Sequence, residues 1–372
     1  MKGNQLEFLR FNRVNLPSLK EAEYTYHKWV DYGNDNLFPE VLIDLANRSA
    51  LHNAIISSKV DTAYADGVKL TENGGITDNL TSILFSNHPN PTESLNDIYR
   101  KILYDQVVFD AHALNVVWAK DGEHISQIFH IPFNKLRSGK RDERGVVNEY
   151  YYCDNWKEWR KYGVKMLPAY NEQYRSGSQV LVYKSYRPGN AYYPLPSYVG
   201  ALEYIMIDIE VANFHLSHLL NGMSPNAVVS FCNGDPDDEE KREIKRKFKA
   251  EYTGTDNAGS FILTYNEDKD HIPVITQLSP DNLDQQFIQL QSTVLQNILS
   301  GHKVVSPMLV GIKTEGQLGG ATELQNAYSI YRATVINGLT KAVEKTLNTI
   351  VRNTVGYTGA KISHTEQLIN WQ

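Results

Sequence analysis

Residues 199–221 read VGALEYIMIDIEVANFHLSHLLN. Leu202, Ile205, Ile209, Ala212, Leu216 and Leu219 recur at three- and four-residue steps, so they share one face of a helix. Tyr204, Ile207, Val211 and Phe214 form a second apolar stripe on another face. A helix lying on a domain surface needs one stripe; two imply neighbours on both sides. A buried helix inside one domain meets that need, and so does a helix packed between copies of itself. Asn221-Gly222 closes the helix, and Pro225 follows as a stop. Glu203, Asp208 and Glu210 interrupt the apolar run, at several kcal/mol in a bilayer, so no membrane span is read.

Upstream, residues 1–30 mix charge and aromatics without a period and read as an arm. FPEVLIDLANRSALHNAIISSKVDTAYADG follows, with Val41, Leu45, Leu51, Ile55 and Val60 at near-helical spacing. Pro39 suits the first turn, where its missing N–H costs nothing. Gly67 closes the helix. A helix from Leu95 to about Asp110 leads into a strand, Ala113 to Ala119. Asp121-Gly122 is a hairpin signal. QIFHIPF, VVNEYYYC and QVLVYKSY are short, β-branched or aromatic, and separated by turn residues, so the texture to Ser185 is β. Residues 31–198 are read as one α+β domain.

Downstream, a small module runs from 223 to about 281. NAVVSF is a strand, Asp235-Pro236 reads as a helix N-cap with proline at the first turn, and GSFILTYN and IPVITQLS are strands. Asp237 to Glu240 precede Lys245, Arg246, Lys247 and Lys249, an order that complements the helix dipole on a solvated face. A helix from Leu283 carries Phe287, Leu290, Val294 and Ile298 as its apolar stripe, with uncharged amides at Gln285, Gln286, Gln289, Gln291 and Gln296. A glycine-rich loop, GIKTEGQLGG, comes after Pro307. Thr322 with Gln325 reads as a capping box for a long last helix through Leu324, Tyr328, Tyr331, Val335, Leu339, Val343, Leu347 and Ile350. At 1.5 Å per residue, its roughly thirty residues span about 45 Å.

The chain has 372 residues, with Lys+Arg 37 against Asp+Glu 43 for a net charge of −6. A net-acidic chain has no global pull toward nucleic acid, so any DNA contact is local. Two cysteines, Cys153 and Cys232, exclude a disulfide scaffold and fit a reducing compartment. MKGNQLEFLRFNR lacks the apolar core of a secretory signal. GxxxxGK[ST], GxSxG and HExxH are absent, so no motor ATPase, hydrolase elbow or zinc protease is indicated. His215 and His218 lie three apart on a helix, but spacing fixes no third ligand. DPDDEE is consecutive on a helix, so its carboxylates point in different directions. No catalytic residue, metal or cofactor is expected.

The order that remains is an α+β body, helix, small α/β module, helix, glycine-rich loop and long helix. It resembles the portal proteins of tailed double-stranded-DNA bacteriophages. The residues carrying the resemblance are YGNDNLFPEVLIDL, HLLNGMSPNAVVSF, GSFILTYN, SPMLVGI and GGATELQNAYSIYRATVINGLTKAVEKTLNTIV. They cover most of the chain from about Tyr32 to Val351. The resemblance implies an α+β portal fold with an N-terminal arm (1–30), a wing (31–198), stem helices (199–222 and 282–302) and a clip (223–281). A tunnel-loop region (303–320), a long wing helix (321–352) and a tail standing for a reduced crown (353–372) complete it.

It implies a dodecameric ring at one vertex of the capsid, assembled in the host bacterial cytoplasm, through which duplex DNA is packaged and ejected. Implied partners are further copies of the chain, the DNA, a terminase large subunit, a head-tail connector or adaptor and the major capsid protein, with no membrane. Ring closure demands a heterologous interface. Ile205, Ile209, Phe214, Phe287, Leu290 and Val294 are the expected stem contacts. Lys313, Thr314, Glu315 and Gln317 are expected to meet DNA, with Gly311, Gly316, Gly319 and Gly320 as hinges. Another ring-forming head-tail protein, an adaptor or tail tube, would share the annulus without docking a motor. An unrecognised nucleic-acid hydrolase would be a compact monomer instead.

Overall fold

A computed structural model describes residues 21–22, 26–72, 75–76, 89–221, 225–231, 237–252, 260–265, 283–312, 321–355 and 360–364. They divide into two compact units, one comprising residues up to Glu203 and from Ile298 onward, the other Tyr204–Asn297.

The first unit opens with β1 (Glu21–Ala22), paired antiparallel with β2 (Asp31–Tyr32). Trp29 and Val30, counted with the arm in the sequence reading, are buried. Trp29 packs with Tyr151, Cys153 and Trp156 in one aromatic cluster. Helices α1 (Phe38–Arg48) and α2 (Ala50–Tyr64) replace the single helix expected after Pro39. The apolar period continues through both, but Ser49 adopts extended backbone and its hydroxyl accepts from His52 N at 3.1 Å. A serine that caps a new helix ends the old one.

Strands β3 (Val68–Glu72) and β4 (Gly75–Ile76) follow. Helix α3 (Leu95–Phe109) is closed at its start by a capping box: Ser94 Oγ accepts from Asp97 N, and Asp97 Oδ2 accepts from Ser94 N. Strand β5 (Ala111–Trp118) is the middle of an antiparallel sheet between β6 (Ile125–Ile131) and β10 (Ser178–Lys184). Gly122, at φ +73°, turns the chain from β5 to β6, as Asp121-Gly122 predicts. A second sheet is formed by β7 (Leu136–Ser138), β8 (Glu149–Tyr152) and β9 (Lys165–Pro168), with the short helix α4 (Trp159–Tyr162) between the last two.

Helix α5 (Leu202–Asn221) carries the chain from the first unit into the second. There β11 (Pro225–Phe231) and β12 (Ser260–Tyr265) pair in parallel, a geometry that needs a crossover. Helix α6 (Asp238–Tyr252) provides it. Its observed cap is Asp237, whose Oδ1 accepts from Glu239 N and Glu240 N, so the cap lies two residues after the expected Asp235. Asp235, Cys232 and IPVITQLS lie outside the described residues, as does 313–320. Helix α7 (Leu283–Gly301) returns the chain to the first unit.

The long C-terminal helix is not continuous. Helix α8 (Ala321–Tyr331) passes through a π turn at Arg332–Ile336 into α9 (Asn337–Val355). Thr322 sits inside α8, one residue past the start, so it is not the cap. Tyr331 and Ile336 are both fully buried though five residues apart. An α-helix turns 100° per residue and would set them about 140° apart; i→i+5 bonding lets them share a face. The buried series then continues with Thr340, Val343, Leu347 and Ile350, while the expected Val335 and Leu339 are only half-buried. In the tail, β13 (Ala360–His364) pairs antiparallel with β3. With β4 they form a three-stranded sheet of the first unit, and β13 lies within the 353–372 segment that the sequence reading gave as a tail or reduced crown.

Candidate functional site

The chain leaves the first unit after Tyr198–Ala201 and re-enters it at Gly301–Val304, and these two points are clasped together. A Cβ placed on Gly301 would lie 2.4 Å from the Cβ of Ala201, so only glycine permits this approach. The His302 ring stacks on Tyr198 with centroids 4.7 Å apart, and the Tyr198 hydroxyl donates to Val108 O at 2.7 Å. His302 Nε2 lies 2.8 Å from His52 Nδ1, and its Nδ1 lies 3.1 Å from Lys59 Nζ. All four side chains are buried. The sequence reading passed over them, because His52 and Lys59 stand in an ordinary amphipathic pattern.

Burial and the neighbouring Lys59 hold the His52 pKa down to about 3. Burial first, then Lys59 and His52, depress that of His302. Burial lowers Lys59 to about 8. His112, enclosed between Gln106 and Thr346 at 2.8 Å on each side, is likewise held near 3, by burial and then His130.

A pH dependence follows. The folded chain keeps these three imidazoles neutral, whereas the unfolded chain charges them near pH 6.5. Their contribution is therefore complete above about pH 7 and is lost progressively as pH falls below 6.5. Each imidazole accounts for about 1.4 kcal/mol per pH unit, so unfolding at pH 5.5 is expected about 4 kcal/mol easier than at pH 7.5. At lower pH the buried carboxyls Asp105 and Asp110, with raised pKa values, oppose the loss. Urea unfolding across this range measures it. His112→Gln should remove about a third of the slope; a flat profile contradicts the assignment.

The stem positions divide. Ile205, Ile209 and Val294, expected at a subunit contact, are buried within the single chain and leave nothing for a neighbour. Phe214 and Leu290 are partly exposed, at 41% and 37%. Leu216 and Ile288, which the expected contact set omitted, are barer at 56% and 67%. Periodicity finds an apolar stripe but does not say which molecule covers it. The side chain of Phe287 lies outside the described residues, as do Lys313, Thr314, Glu315, Gly316, Gln317, Gly319 and Gly320. Gly311 is described: at φ +76° it ends the 3₁₀ turn Pro307–Val310. Among the described residues no cluster of three or more His, Cys, Asp or Glu could hold a metal, and no helix is long and apolar enough to cross a membrane.

A Rickettsia bellii (strain RML369-C) protein, described as uncharacterized, is 27% identical over 199 residues, 49% of each chain. The chain thus spans about half the length of that curated relative. Two solved structures share the fold. A chain from the neck of an empty GTA particle, computed with C6 symmetry, matches at TM-score 0.58 and 13% identity, covering 90% of this chain and 86% of that one. One from the neck of the native GTA particle, computed with C12 symmetry, matches at 0.56 and 14% identity, covering 89% and 86%. The sequence model described as "Phage portal protein" matches residues 59–359, bridging the α3–β5 core, helices α5 and α7 and the π-interrupted C-terminal helix. By that match this chain belongs to the phage portal protein family.

Proposed function

We propose that the chain is the subunit of a closed ring at one capsid vertex, through which double-stranded DNA enters and leaves the particle. One observation carries the reading beyond family membership. Leu216 and Ile288, on the two long helices of the second unit, are 56% and 67% exposed, and Phe214 and Leu290 on the same helices are partly exposed. Full burial of such a side chain is worth about 1.5–3 kcal/mol, each of these still has part of that to gain, and a neighbouring copy presenting a different face supplies it. In this reading 31–198 is the wing, 199–222 and 282–302 the stem, and 223–281 the clip. The clip docks the terminase large subunit and later the head-tail connector, and the wing meets the major capsid protein. Residues 321–352 are the wing helix behind the tunnel loop. In that loop Lys313 makes brief phosphate contacts, Glu315 nearly cancels its charge, and Gln317 between glycines keeps the lining from gripping the duplex.

Negative-stain imaging of the purified chain tests the ring. A uniform annulus with a central hole is expected, twelvefold as in the symmetry of one fold relative. A homogeneous monomer at micromolar concentration overturns it. Capture of a terminase large subunit then separates a portal from a tail tube or adaptor.

A further inference from the structure

The loop after β10 holds a carboxylate on backbone N–H groups. Glu21 Oε2 accepts from Ala191 N, and Oε1 accepts from Tyr192 N and Tyr193 N, all at 2.7 Å. Successive amides aimed at one anion form an anion-binding nest. Beside it lies an open cleft of about 430 Å³ lined by Arg141, Lys184, Arg187 and Asn190 among others. That volume falls within the roughly 300–1,000 Å³ of small-molecule sites.

The three cations are positioned chiefly by neutral carbonyls. Arg141 Nη2 donates to Ala191 O, and its guanidinium lies over the Tyr192 ring. Lys184 Nζ donates to Ala191 O at 2.9 Å and Tyr192 O at 2.8 Å. Arg187 Nη2 donates to Pro196 O at 3.4 Å, and Asp110 lies within its electrostatic reach. The side-chain nitrogen of Asn190 is buried with no hydrogen-bond partner. Burial, then the neighbouring Arg141, lower the Lys184 pKa, and the Glu21 carboxylate opposes them.

We infer that this cleft binds a phosphate monoester or inorganic phosphate. Three cations line the cleft against the Glu21 carboxylate on the adjoining amides and the Asp110 carboxylate near Arg187, which leaves the cleft net positive. A phosphate monoester carries about −1.5 to −2 at neutral pH with three acceptor oxygens, whereas a backbone diester carries one charge. The forked guanidinium donors and the Asn190 amide suit that oxygen set. The carboxylate position is already taken by Glu21. The inference is independent of the ring.

Calorimetric titration of the full chain tests it, with inorganic phosphate at pH 7.5 and low salt. Saturable binding below about 1 mM is expected. Glu21→Gln should tighten binding about tenfold by removing the competing charge. Arg141→Gln with Arg187→Gln should weaken it about tenfold or more, with thermal unfolding as the control for folding. Two short duplexes, one with 5′-phosphates and one with 5′-hydroxyls, identify the source. Tighter binding of the phosphorylated duplex assigns the ligand to DNA ends; phosphate binding without that preference assigns it to the free ion. Absence of saturable phosphate binding overturns the site, and so does a Glu21→Gln variant that binds no better than the parent.

Discussion

Arg137→Ala is expected to lower folding stability by about 3–5 kcal/mol, a large share of the roughly 5–15 kcal/mol that holds a typical domain. Arg137 is completely buried. Its Nε donates to Asn36 Oδ1 at 2.5 Å and its Nη2 to Asn36 O at 2.6 Å. Nη1 donates to Asn134 O at 2.7 Å and Leu136 O at 2.8 Å. The guanidinium lies 4.6 Å from the Trp156 ring centroid and 5.8 Å from that of Tyr32. Glu40, 3.4 Å away and partly exposed, is a weak counter-charge, so the carbonyls and rings carry most of the interaction. Truncation removes Arg137's donors from three carbonyls, two of them buried, and leaves a cavity beneath two aromatic rings. Arg137→Lys should recover less than half of the loss, because an ammonium cannot reproduce the planar fork. Guanidinium unfolding of both variants decides this; a loss below about 1 kcal/mol for the alanine variant contradicts it.

The second large effect is on assembly. Leu216→Lys combined with Ile288→Lys should leave a folded monomer where the parent forms a ring. Both side chains are mostly in water in the isolated chain, so lysine costs little there. In a ring each would put an unpaired ammonium into an apolar contact, a penalty of several kcal/mol repeated at every junction. Light scattering after size exclusion reads the mass, and circular dichroism checks the fold. Ile205→Ala and Val294→Ala, at buried positions, should instead lower stability, and any effect they have on assembly follows from that. A double variant that still closes into rings would place the subunit contact elsewhere.

Elements with a single strong cause were legible in the sequence. Helix α3 has apolar period and a cap, the β5–β6 hairpin has Asp121-Gly122, and α5 and α7 have stripes longer than any competing pattern. Three features were not. Ser49 breaks a helix by one hydroxyl bond while the apolar spacing runs on. Arg137 stands in FNKLRSGKRDERG, which reads as a polar surface loop; carbonyls brought together by the fold make its burial tolerable. The apolar stripes gave helices α5 and α7 but could not divide Ile205, Ile209 and Val294, buried by their own chain, from Phe214 and Leu290, which stay partly exposed. Family membership rested on the order of elements, and the full chain was needed to see it.

The widened turn at Arg332–Ile336 makes chain length there a free variable. Because Tyr331 and Ile336 already meet across a five-residue step, removing any one residue from 332 to 335 would bring them to a four-residue step, the natural neighbour distance of an unbroken helix. Both anchors would stay inside, and the segment ahead of Tyr331 would keep its facing against the body. The same excision after Ile336 would turn Val343 and Leu347 outward by about 100°, so this one turn is where the helix can lose a residue without dismantling its seat.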